Sequence, residues 1–591
     1  MLKRFFLNAL SAFVGAWAAI LLMIVAVFVF FVGMMASLAR NTTETLTKGS
    51  ILKLSLAGAI AEKEDIPRID YSTFLTGRLD QPQSLQVIKD ALAKASTSSK
   101  VDALYIECGG VEASPATLNV IREYIKEFKK SGKRVVAYAN SFTMSDYFVA
   151  TAADAIYLNP GGSLDVQGIN GTAIYYKDLL DKIGIDVEMV KVGTYKSAVE
   201  PYISNEMSEP ARAQLDTLYT QMWGYIVEQI CERSKMQPTQ FNNLIDSCLF
   251  LDPADVAEKY KLVDECLYER EVMDKLADYV GKEKKDLNFI STEFMAGSLP
   301  ENPDAKRQIA VVYAVGEIGE YPGAGINCAE LVPIIVSLAE NDNVEGLVLR
   351  VNSPGGSVFG SEQIGEALDY FQSKGKPLAV SMGGYAASGG YWISAGADRI
   401  FADQLTVTGS IGIFGLVPNI SKLAANIGIH PQTVGTNPEV QFPSIFYPMS
   451  ATQKAALQKN IERGYEKFIE RVAKGRKKTP DYIKSIAEGR VWSAFEAQKL
   501  GLVDELGGLD NAVEWVADKA KISDYNTVSY PILEPNIFGM LPMAFKANEE
   551  VQAVIDNLKA RSMEQRLIDF AGWLLIQQHE QARCPYLDVR L

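Results

Sequence analysis

Two long stretches of the chain alternate short apolar runs with amphipathic segments of helical period. In the first stretch, a helix is predicted over Pro115–Lys130 and strands at Ile51–Leu56, Val101–Glu107 and Arg134–Ala139. The second stretch returns to the same order, with helices predicted near 329–339 and 361–373 and strands at Ile309–Val315, Glu345–Val351 and Pro377–Met382. Strands that alternate with helices are typical of βαβ units, so we predict an α/β protein with mostly parallel sheets.

The second stretch is a repeat of the first. Met144–Tyr157 matches Ser388–Phe401 at a spacing of 244 positions, and the tetrapeptide LVDE stands at 262–265 and again at 502–505. Self-similarity at a nearly constant spacing indicates an internal duplication. We therefore expect tandem domains at 50–281 and 309–530, joined by a polar, proline-containing linker at 282–308 and followed by a helical tail at 531–591.

The N-terminus carries the longest apolar run. Residues 5–39 hold no charged side chain, and 9–38 are long enough to cross the roughly 30 Å hydrocarbon layer as one helix. A cleaved signal peptide has a shorter apolar region, about 7–15 residues. Because Lys3 and Arg4 precede the run, the positive-inside rule predicts a cytoplasmic N-terminus at 1–8, a transmembrane anchor at 9–38 and a linker at 39–49, with both domains across the membrane.

Composition narrows the range of functions. Of the 591 residues 48% are hydrophobic, enough for two or more buried cores, and 72 acidic against 58 basic side chains give a formal net charge of −14. That sign disfavours a general nucleic-acid-binding protein. The six cysteines lack the close spacing of metal ligands and are interpreted as mostly buried thiols. Because the sequence shows neither a ligand cluster nor a nucleotide motif, neither a metal nor an organic cofactor is expected.

The candidate catalytic groups are a serine and a lysine. The chain has only two histidines, neither inside a motif, which disfavours a Ser-His-Asp triad. A serine hydroxyl can instead be activated by a neutral amine, provided that burial lowers the lysine pKa from about 10.4 toward neutrality. Ser388 lies in the glycine-rich stretch GGYAASGGYWIS, and Lys196 lies in VGTYKSAVEPY after the apolar residues Val190 and Val192.

The two halves have lost complementary members of this pair. When the halves are aligned, Met144 stands at the position of Ser388, and Pro438 stands at the position of Lys196. Such losses are expected if a duplicated enzyme needs only one working site, in which case each copy can lose what it no longer uses. The sequence is compatible with a pair formed within one chain or between two chains.

A second glycine-rich turn, NSPGGSVFGSE at 352–362, follows the predicted strand that ends at Val351. Paired glycines let backbone N–H groups approach a substrate without a Cβ in the way. Gly356 in this turn and Gly389 beside Ser388 are therefore the candidate donors of an oxyanion hole.

Four stretches, GTYKSAVEPY, VNSPGGSVFGSE, GGYAASGGYWIS and TVTGSIGI, resemble the long, duplicated form of the signal peptide peptidase A family. The resemblance runs from the N-terminal anchor to about residue 530. It implies a crotonase-like fold, shared with the Clp protease subunit, in both domains. It also implies Ser388 as the nucleophile, Lys196 as the general base and Ser410, in TVTGSIGI, as the hydroxyl that holds the lysine.

The same resemblance implies a membrane-anchored serine endopeptidase that degrades cleaved signal peptides and other extended apolar peptides. A homotetramer in the bacterial inner membrane is expected, with its catalytic domains on the periplasmic side. Two other functions are kept as alternatives. An acyl-CoA enzyme of the same fold would use the SPGG amides to hold a thioester enolate and would not need Lys196, and an inactive membrane scaffold would tolerate loss of Ser388 and Lys196.

Overall fold

The structure is a computed structural model that describes residues 44–63, 83–297, 306–321, 323, 325–532 and 581–583. The anchor predicted at 9–38 and most of the tail predicted at 531–591 lie outside these ranges. Within them, none of the helices has the length and apolar character needed to cross a bilayer.

The first half of the chain alternates strands and helices as predicted. Its strands are β1 (Ser50–Ala61), β2 (Gln83–Ser84), β3 (Val101–Glu112), β4 (Arg134–Ala139), β5 (Ala155–Leu158), β6 (Asp186–Val192), β7 (Glu265–Cys266) and β8 (Asn288–Ser291). Its helices are α1 (Leu85–Thr97), α2 (Pro115–Lys129), α3 (Met144–Ala150), α4 (Lys177–Ile183), α5 (Glu200–Ile203), α6 (Glu209–Ser234), α7 (Pro238–Asp246), α8 (Ala254–Lys259), α9 (Glu269–Val280) and α10 (Thr292–Gly297).

The second half repeats this alternation and is followed by one short strand near the C-terminus. Its strands are β9 (Gln308–Val315), β10 (Ile318–Gly319), β11 (Ile326–Asn327), β12 (Val344–Ser353), β13 (Gly355–Ser357), β14 (Leu378–Ala387), β15 (Arg399–Ala402), β16 (Val407–Gly409), β17 (Ile413–Asn419), β18 (Val491–Ser493), β19 (Glu505–Leu506), β20 (Asn526–Tyr530) and β21 (Gln581–Arg583). Its helices are α11 (Cys328–Glu340), α12 (Val358–Ser373), α13 (Gly389–Ser394), α14 (Ser421–Asn426), α15 (Ala451–Gly475), α16 (Pro480–Ile486), α17 (Ala494–Lys499) and α18 (Leu509–Ala520).

The two halves share one sheet topology. In the first half β1, β3, β4, β5 and β7 follow one another across a parallel sheet, and in the second half β9, β12, β14, β15 and β19 do the same. The agreement extends to single hydrogen bonds. The hydroxyls of Tyr147 and Tyr391 donate to the carbonyls of Leu262 and Leu502, in each case over 2.8 Å. The duplication predicted from the sequence is thus present in the fold.

Equivalent helices in the two halves begin with the same kind of cap. The Ser114 hydroxyl accepts from the backbone N–H of Thr117 at 3.1 Å to start α2, and the Ser357 hydroxyl accepts from that of Gly360 at 3.0 Å to start α12. Such a cap contributes about 1 kcal/mol to helix stability. Burial of an aliphatic side chain against the sheet, as for Ile121 on α2, contributes about 1.5–3 kcal/mol.

Part of the stretch predicted as a linker at 282–308 is folded onto the first half. Strand β8 pairs in parallel with β1, with Asn288 opposite Ser50, and α10 packs on α1. Ile290 and Met295 bury their side chains there. The strand covers four residues, too few for a periodic pattern to reveal it.

A third sheet joins the two halves. Strand β6 of the first half pairs antiparallel with β17 of the second half, from Asp186 opposite Asn419 to Val192 opposite Ile413. A buried ion pair between Glu62 and Arg350, 3.0 Å long, also links the halves. Because Lys196 follows β6 closely in the chain, this pairing carries a residue of the first half to the second.

Candidate active site

Ser388 occupies a sharp turn between β14 and α13. Its backbone has φ 57° and ψ −117°, its N–H donates to the Gly409 carbonyl at 2.8 Å, and its side chain is fully buried. A left-handed φ at a non-glycine residue costs about 1–3 kcal/mol. The next residues are glycines for a steric reason, since a Cβ on Gly390 would lie 2.7 Å from the Ser353 carbonyl oxygen. The turn thus presents Ser388 at the start of a helix.

Lys196 reaches Ser388 from the first half of the same chain. The Lys196 Nζ atom lies 2.6 Å from Ser388 Oγ, and it also donates to Ser410 Oγ and to the Ser410 carbonyl oxygen, each at 3.1 Å. The lysine side chain is only 1% exposed. The structure therefore brings together the three side chains that the sequence singled out, and it does so within one chain.

Ser410 lies beside Ser388 because the strands before them are neighbours. Strand β16 pairs in parallel with the end of β14, with Gly409 opposite Ala387, so the following residues emerge at the same edge of the sheet. Ser410 has φ 52°, and its N–H donates to the Arg490 carbonyl at 2.7 Å. Ser410 stands 22 positions after Ser388, and this stretch contains the connection from β14 to β16 and β16 itself.

The two candidate oxyanion donors are adjacent. A Cβ on Gly389 would lie 3.2 Å from the Gly356 nitrogen, so the two backbones are in contact. Gly356 has φ 148°, and a Cβ there would lie 2.1 Å from the Ile318 carbonyl oxygen of β10. A Cβ at Gly356 would overlap the backbone of β10, and Gly389 directly follows Ser388 in the chain.

Two residues of the site were missed by the sequence analysis, Glu488 and Gly489. Glu488 accepts from the Thr194 N–H through its carboxylate at 2.9 Å and from the Tyr195 N–H through its carbonyl at 2.8 Å. A Cβ on Gly489 would lie 2.7 Å from the Cβ of Lys196. The sequence offered one signal for Gly489. When the two halves are aligned, Gly489 stands opposite Leu249, 240 positions earlier, so the glycine occurs in the second half only.

The equivalent turn of the first half holds a carboxylate. Asp146, 244 positions before Gly390, accepts from the N–H groups of Gly110 at 2.9 Å and Val111 at 3.0 Å. Met144 stands in place of the serine, as predicted. The first half therefore has a turn in which a carboxylate of the same half holds two backbone N–H groups, and Met144 stands where the second half has Ser388.

A second buried acid lies at the contact between the halves. Asp403 accepts from the Asn119 side chain at 2.8 Å, and burial raises the pKa of its carboxyl to about 6. No group of three or more His, Cys, Asp or Glu side chains among the described residues is arranged to hold a metal ion.

Comparison with known proteins assigns the chain to a class and then to a family. A Clp protease model matches residues 325–403 in the second half, and the first half shares the sheet topology of the second, so the α/β fold is of the Clp-protease type. The model of peptidase family S49 matches 127–283 and 370–523, one match in each half. The chain belongs to peptidase family S49, and it is a protease of the long, duplicated SppA type.

Named relatives agree with this assignment. "Protease 4" of Salmonella typhi is 33% identical over 527 residues, which cover 86% of this chain and 84% of the relative. "Protease 4" of Haemophilus influenzae is 34% identical, over 80% of this chain and 79% of the relative. "Serine protease SPPA, chloroplastic" of Arabidopsis thaliana is 25% identical, over 81% of this chain and 70% of the relative.

Proposed function

We propose that this protease is a membrane-anchored serine endopeptidase that degrades cleaved signal peptides with a Ser388–Lys196 dyad. The observation that carries the proposal is the 2.6 Å distance between Lys196 Nζ and Ser388 Oγ, in a chain whose family is proteolytic. Lys196 is buried, and removal of water disfavours the charged ammonium, so the amine can act as a base.

The reaction begins with proton transfer. Neutral Lys196 takes the proton of Ser388 Oγ while the oxygen attacks the peptide carbonyl, and the N–H groups of Gly356 and Gly389 stabilise the oxyanion. The C–N bond then breaks, the amine product takes the proton from Lys196, and the acyl group stays on Ser388. Water attacks this ester with Lys196 as the base and releases the acid. Ser410 holds the lysine amine at the serine through both of its oxygens.

The substrate is an extended peptide that binds by strand addition. β13 bears Gly356 in the third sheet, so a peptide paired with it would pass the oxyanion donors with its carbonyl next to Ser388. Main-chain hydrogen bonds would then bind substrates of varied sequence. Cleaved signal peptides remain in the membrane after processing, where an enzyme anchored by residues 9–38 would meet them, and a homotetramer would shield the site from folded proteins.

The dyad geometry favours this function over the two alternatives. An acyl-CoA enzyme of the same fold would not need a lysine at the serine, and an inactive scaffold would not need the contact among Lys196, Ser388 and Ser410. All three contacts are present at hydrogen-bond distance.

The test is peptide hydrolysis by the full chain in detergent. A synthetic signal peptide is incubated with the parent, Ser388→Ala and Lys196→Met, and products are measured by mass spectrometry. Lys191→Met, a matched change on β6, is the control. Both dyad variants should lose at least about 1000-fold in rate, as removal of nucleophile or base does in other serine proteases. Activity in Ser388→Ala equal to the control would contradict the proposal.

A fluorophosphonate probe separates the two roles. The probe should label Ser388 in the parent, should label Lys196→Met much more slowly, and should not label Ser388→Ala. If Lys196→Met is labelled at the parent rate, Lys196 is not the base.

A further inference from the structure

Strand β14, which leads to the candidate nucleophile, contains a bulge at 383–385. Val351 of β12 lies opposite Met382 of β14. Two positions further along β12, Ser353 lies opposite Ala386, which is four positions further along β14, so β14 holds two extra residues here. The equivalent strands of the first half, β3 and β4, pair residue for residue. Because a bulge bends a strand and turns the residues that follow it, this bulge sets the direction in which the chain reaches the nucleophile.

A carboxylate of the first half lies against the bulge. Glu62 directly follows β1 and is only 8% exposed. A Cβ on Gly383 would lie 2.7 Å from Glu62 Oε1, so the lack of a side chain at Gly383 makes room for the carboxylate. The next residue, Gly384, is covered in the same way by Ser114, the residue that caps α2. The two glycines of the bulge thus accommodate side chains from the other half.

Glu62 holds two side chains at the end of β12. One of its carboxylate oxygens accepts from Arg350 Nε at 3.0 Å, and the other accepts from Asn352 Nδ2 at 2.9 Å. The amide oxygen of Asn352 in turn accepts from the Tyr385 N–H, within the bulge, at 3.3 Å. An ionised carboxylate only accepts hydrogen bonds. Glu62 therefore turns the amide nitrogen of Asn352 toward itself and leaves the amide oxygen for the backbone of the bulge.

We propose that Glu62 is a positioning residue, which holds Ser388 and Gly356 in place relative to each other. This inference rests on the proposed function, in which Ser388 is the nucleophile and Gly356 an oxyanion donor. Asn352 stands four positions before Gly356, and Tyr385 stands three positions before Ser388. Through Asn352, the carboxylate thus connects the segment that leads to the nucleophile with the segment that leads to the oxyanion donor.

Other contacts of the bulge come from the second half itself. Arg350 donates to the Met382 carbonyl at 3.0 Å, immediately before the bulge, and the Thr406 hydroxyl donates to the Gly383 carbonyl at 2.7 Å. These hydrogen bonds keep the backbone of the bulge near β12 and β16. Loss of Glu62 is therefore expected to shift the bulge without unfolding it.

The test compares two double variants of the full chain that differ only at residue 62. Arg350→Met removes the charge that would be left buried and unpaired when the carboxylate is lost. In this background Glu62→Gln keeps an oxygen that can accept from Asn352, whereas Glu62→Met removes the acceptor and keeps a side chain of similar length. A difference between the two variants therefore reports the loss of the acceptor for Asn352.

We expect kcat for a synthetic signal peptide to be about 10- to 100-fold lower in Glu62→Met/Arg350→Met than in Glu62→Gln/Arg350→Met, with KM nearly unchanged, since misplacing a catalytic group by about 1 Å costs up to 100-fold. Fluorophosphonate labelling of Ser388 should slow by the same factor. Urea unfolding checks that both variants are folded. Equal kcat values and equal labelling rates in the two variants would mean that Glu62 has a structural role only.

A milder variant, Asn352→Ala, keeps the ion pair between Glu62 and Arg350 and breaks the connection to the bulge. It should lower kcat and the labelling rate by the same factor. Adding Asn352→Ala to Glu62→Met/Arg350→Met should cause no further loss, because both changes break one connection. If the two losses multiply instead, Glu62 does not act through Asn352 and the inference is wrong.

Hydrogen exchange separates this inference from the catalytic one. Mass spectrometry of the segment 382–390 should show about 10-fold faster exchange in Glu62→Met/Arg350→Met than in Glu62→Gln/Arg350→Met, as on loss of a buried hydrogen bond. If this difference is found but the parent neither hydrolyses the peptide nor is labelled at Ser388, Glu62 holds the bulge and the proposed chemistry is wrong. If the segment exchanges equally in both variants, Glu62 does not hold the bulge.

Discussion

The first and second halves build the same turn and use it in opposite ways. In the first half the carboxylate of Asp146 accepts from the N–H groups of Gly110 and Val111. In the second half a glycine, Gly390, stands at the equivalent position, and Ser388 stands where the first half has Met144. A turn whose N–H groups are already satisfied is a stabilising structural element. The second half has no carboxylate at this position, and its candidate oxyanion donors are different groups, the N–H groups of Gly356 and Gly389.

Both halves contribute residues to the candidate site. The first half has lost its serine but supplies Lys196, which β6 carries across by pairing with β17. Neither half alone contains both groups. The two copies of the turn thus hold different side chains, and a sheet that both halves build joins the two halves.

The largest expected effect comes from giving the second half the carboxylate of the first. Gly390→Asp would place a Cβ 2.7 Å from the Ser353 carbonyl oxygen and a negative charge beside the oxyanion donors. We expect kcat/KM for a signal peptide to fall at least about 100- to 1000-fold, as on loss of an oxyanion-hole donor. Gly375→Asp, in an exposed turn, is the control. A variant within tenfold of the parent would show that the two turns are not equivalent.

Removal of the Ser410 hydroxyl should have the next largest effect. Ser410→Ala deletes the hydrogen bond from Lys196 to Oγ but keeps the one to the Ser410 carbonyl. The lysine stays near Ser388 but is held less firmly, so we expect kcat to fall about 10-fold at constant KM. Steady-state kinetics test this. An unchanged kcat would exclude Ser410 from the site.

Removal of the carboxylate from the turn of the first half should lower the stability of the protein and leave its rate of hydrolysis unchanged. Asp146→Ala leaves the buried N–H group of Val111 and the half-buried one of Gly110 without their charged acceptor, which should lower the free energy of unfolding by about 1.5–3 kcal/mol. Urea unfolding measures this, with the exposed Asp165→Ala as the control. Peptide hydrolysis without denaturant should stay within twofold of the parent. A large loss of kcat would mean that the first turn takes part in catalysis.

The smallest expected effect is a pH-dependent change in stability due to Asp403, at the contact between the two halves. Burial raises the pKa of Asp403 to about 6 in the folded protein, above its ordinary value of 3.8. A raised folded pKa means that the stabilisation due to protonation is complete below pH 3.8 and is lost as the pH rises through 6. The parent should therefore lose about 1 kcal/mol relative to Asp403→Asn between pH 5 and pH 8.

Urea unfolding of both proteins at the two pH values checks this prediction. A difference in unfolding free energy that does not change with pH would show that Asp403 is ionised throughout this range in the folded protein.

Much of the fold was predictable because the repeat and the hydrophobic periodicity can be read from the sequence without knowing which segments meet in the fold. The predicted helix Pro115–Lys130 matches α2, and the predicted strands at 309–315 and 345–351 match β9 and β12 to within two residues. Short elements were not predictable. The four residues of β8, inside the predicted linker, form a strand only because β1 offers an edge.

The candidate site was predictable in its residues but not in its geometry. Ser388 and Lys196 were identified because each half had kept one member of the pair. Glu488 and Gly489 were missed because their importance lies in contact with Thr194, Tyr195 and Lys196, nearly 300 positions earlier in the chain. Nothing in local composition marks such a pair of segments.

The sequence by itself determined the duplication, the α/β class, the glycines at the two turns and the choice of candidate catalytic side chains. These follow from periodicity, backbone sterics and the chemistry of each residue type, all of which are local. Only the tertiary structure decided that Lys196 meets Ser388 within one chain, that the first turn is filled by Asp146, and that residues 581–583 lie between β13 and β17. These facts depend on which strand edges meet, and that is set by packing of the whole chain.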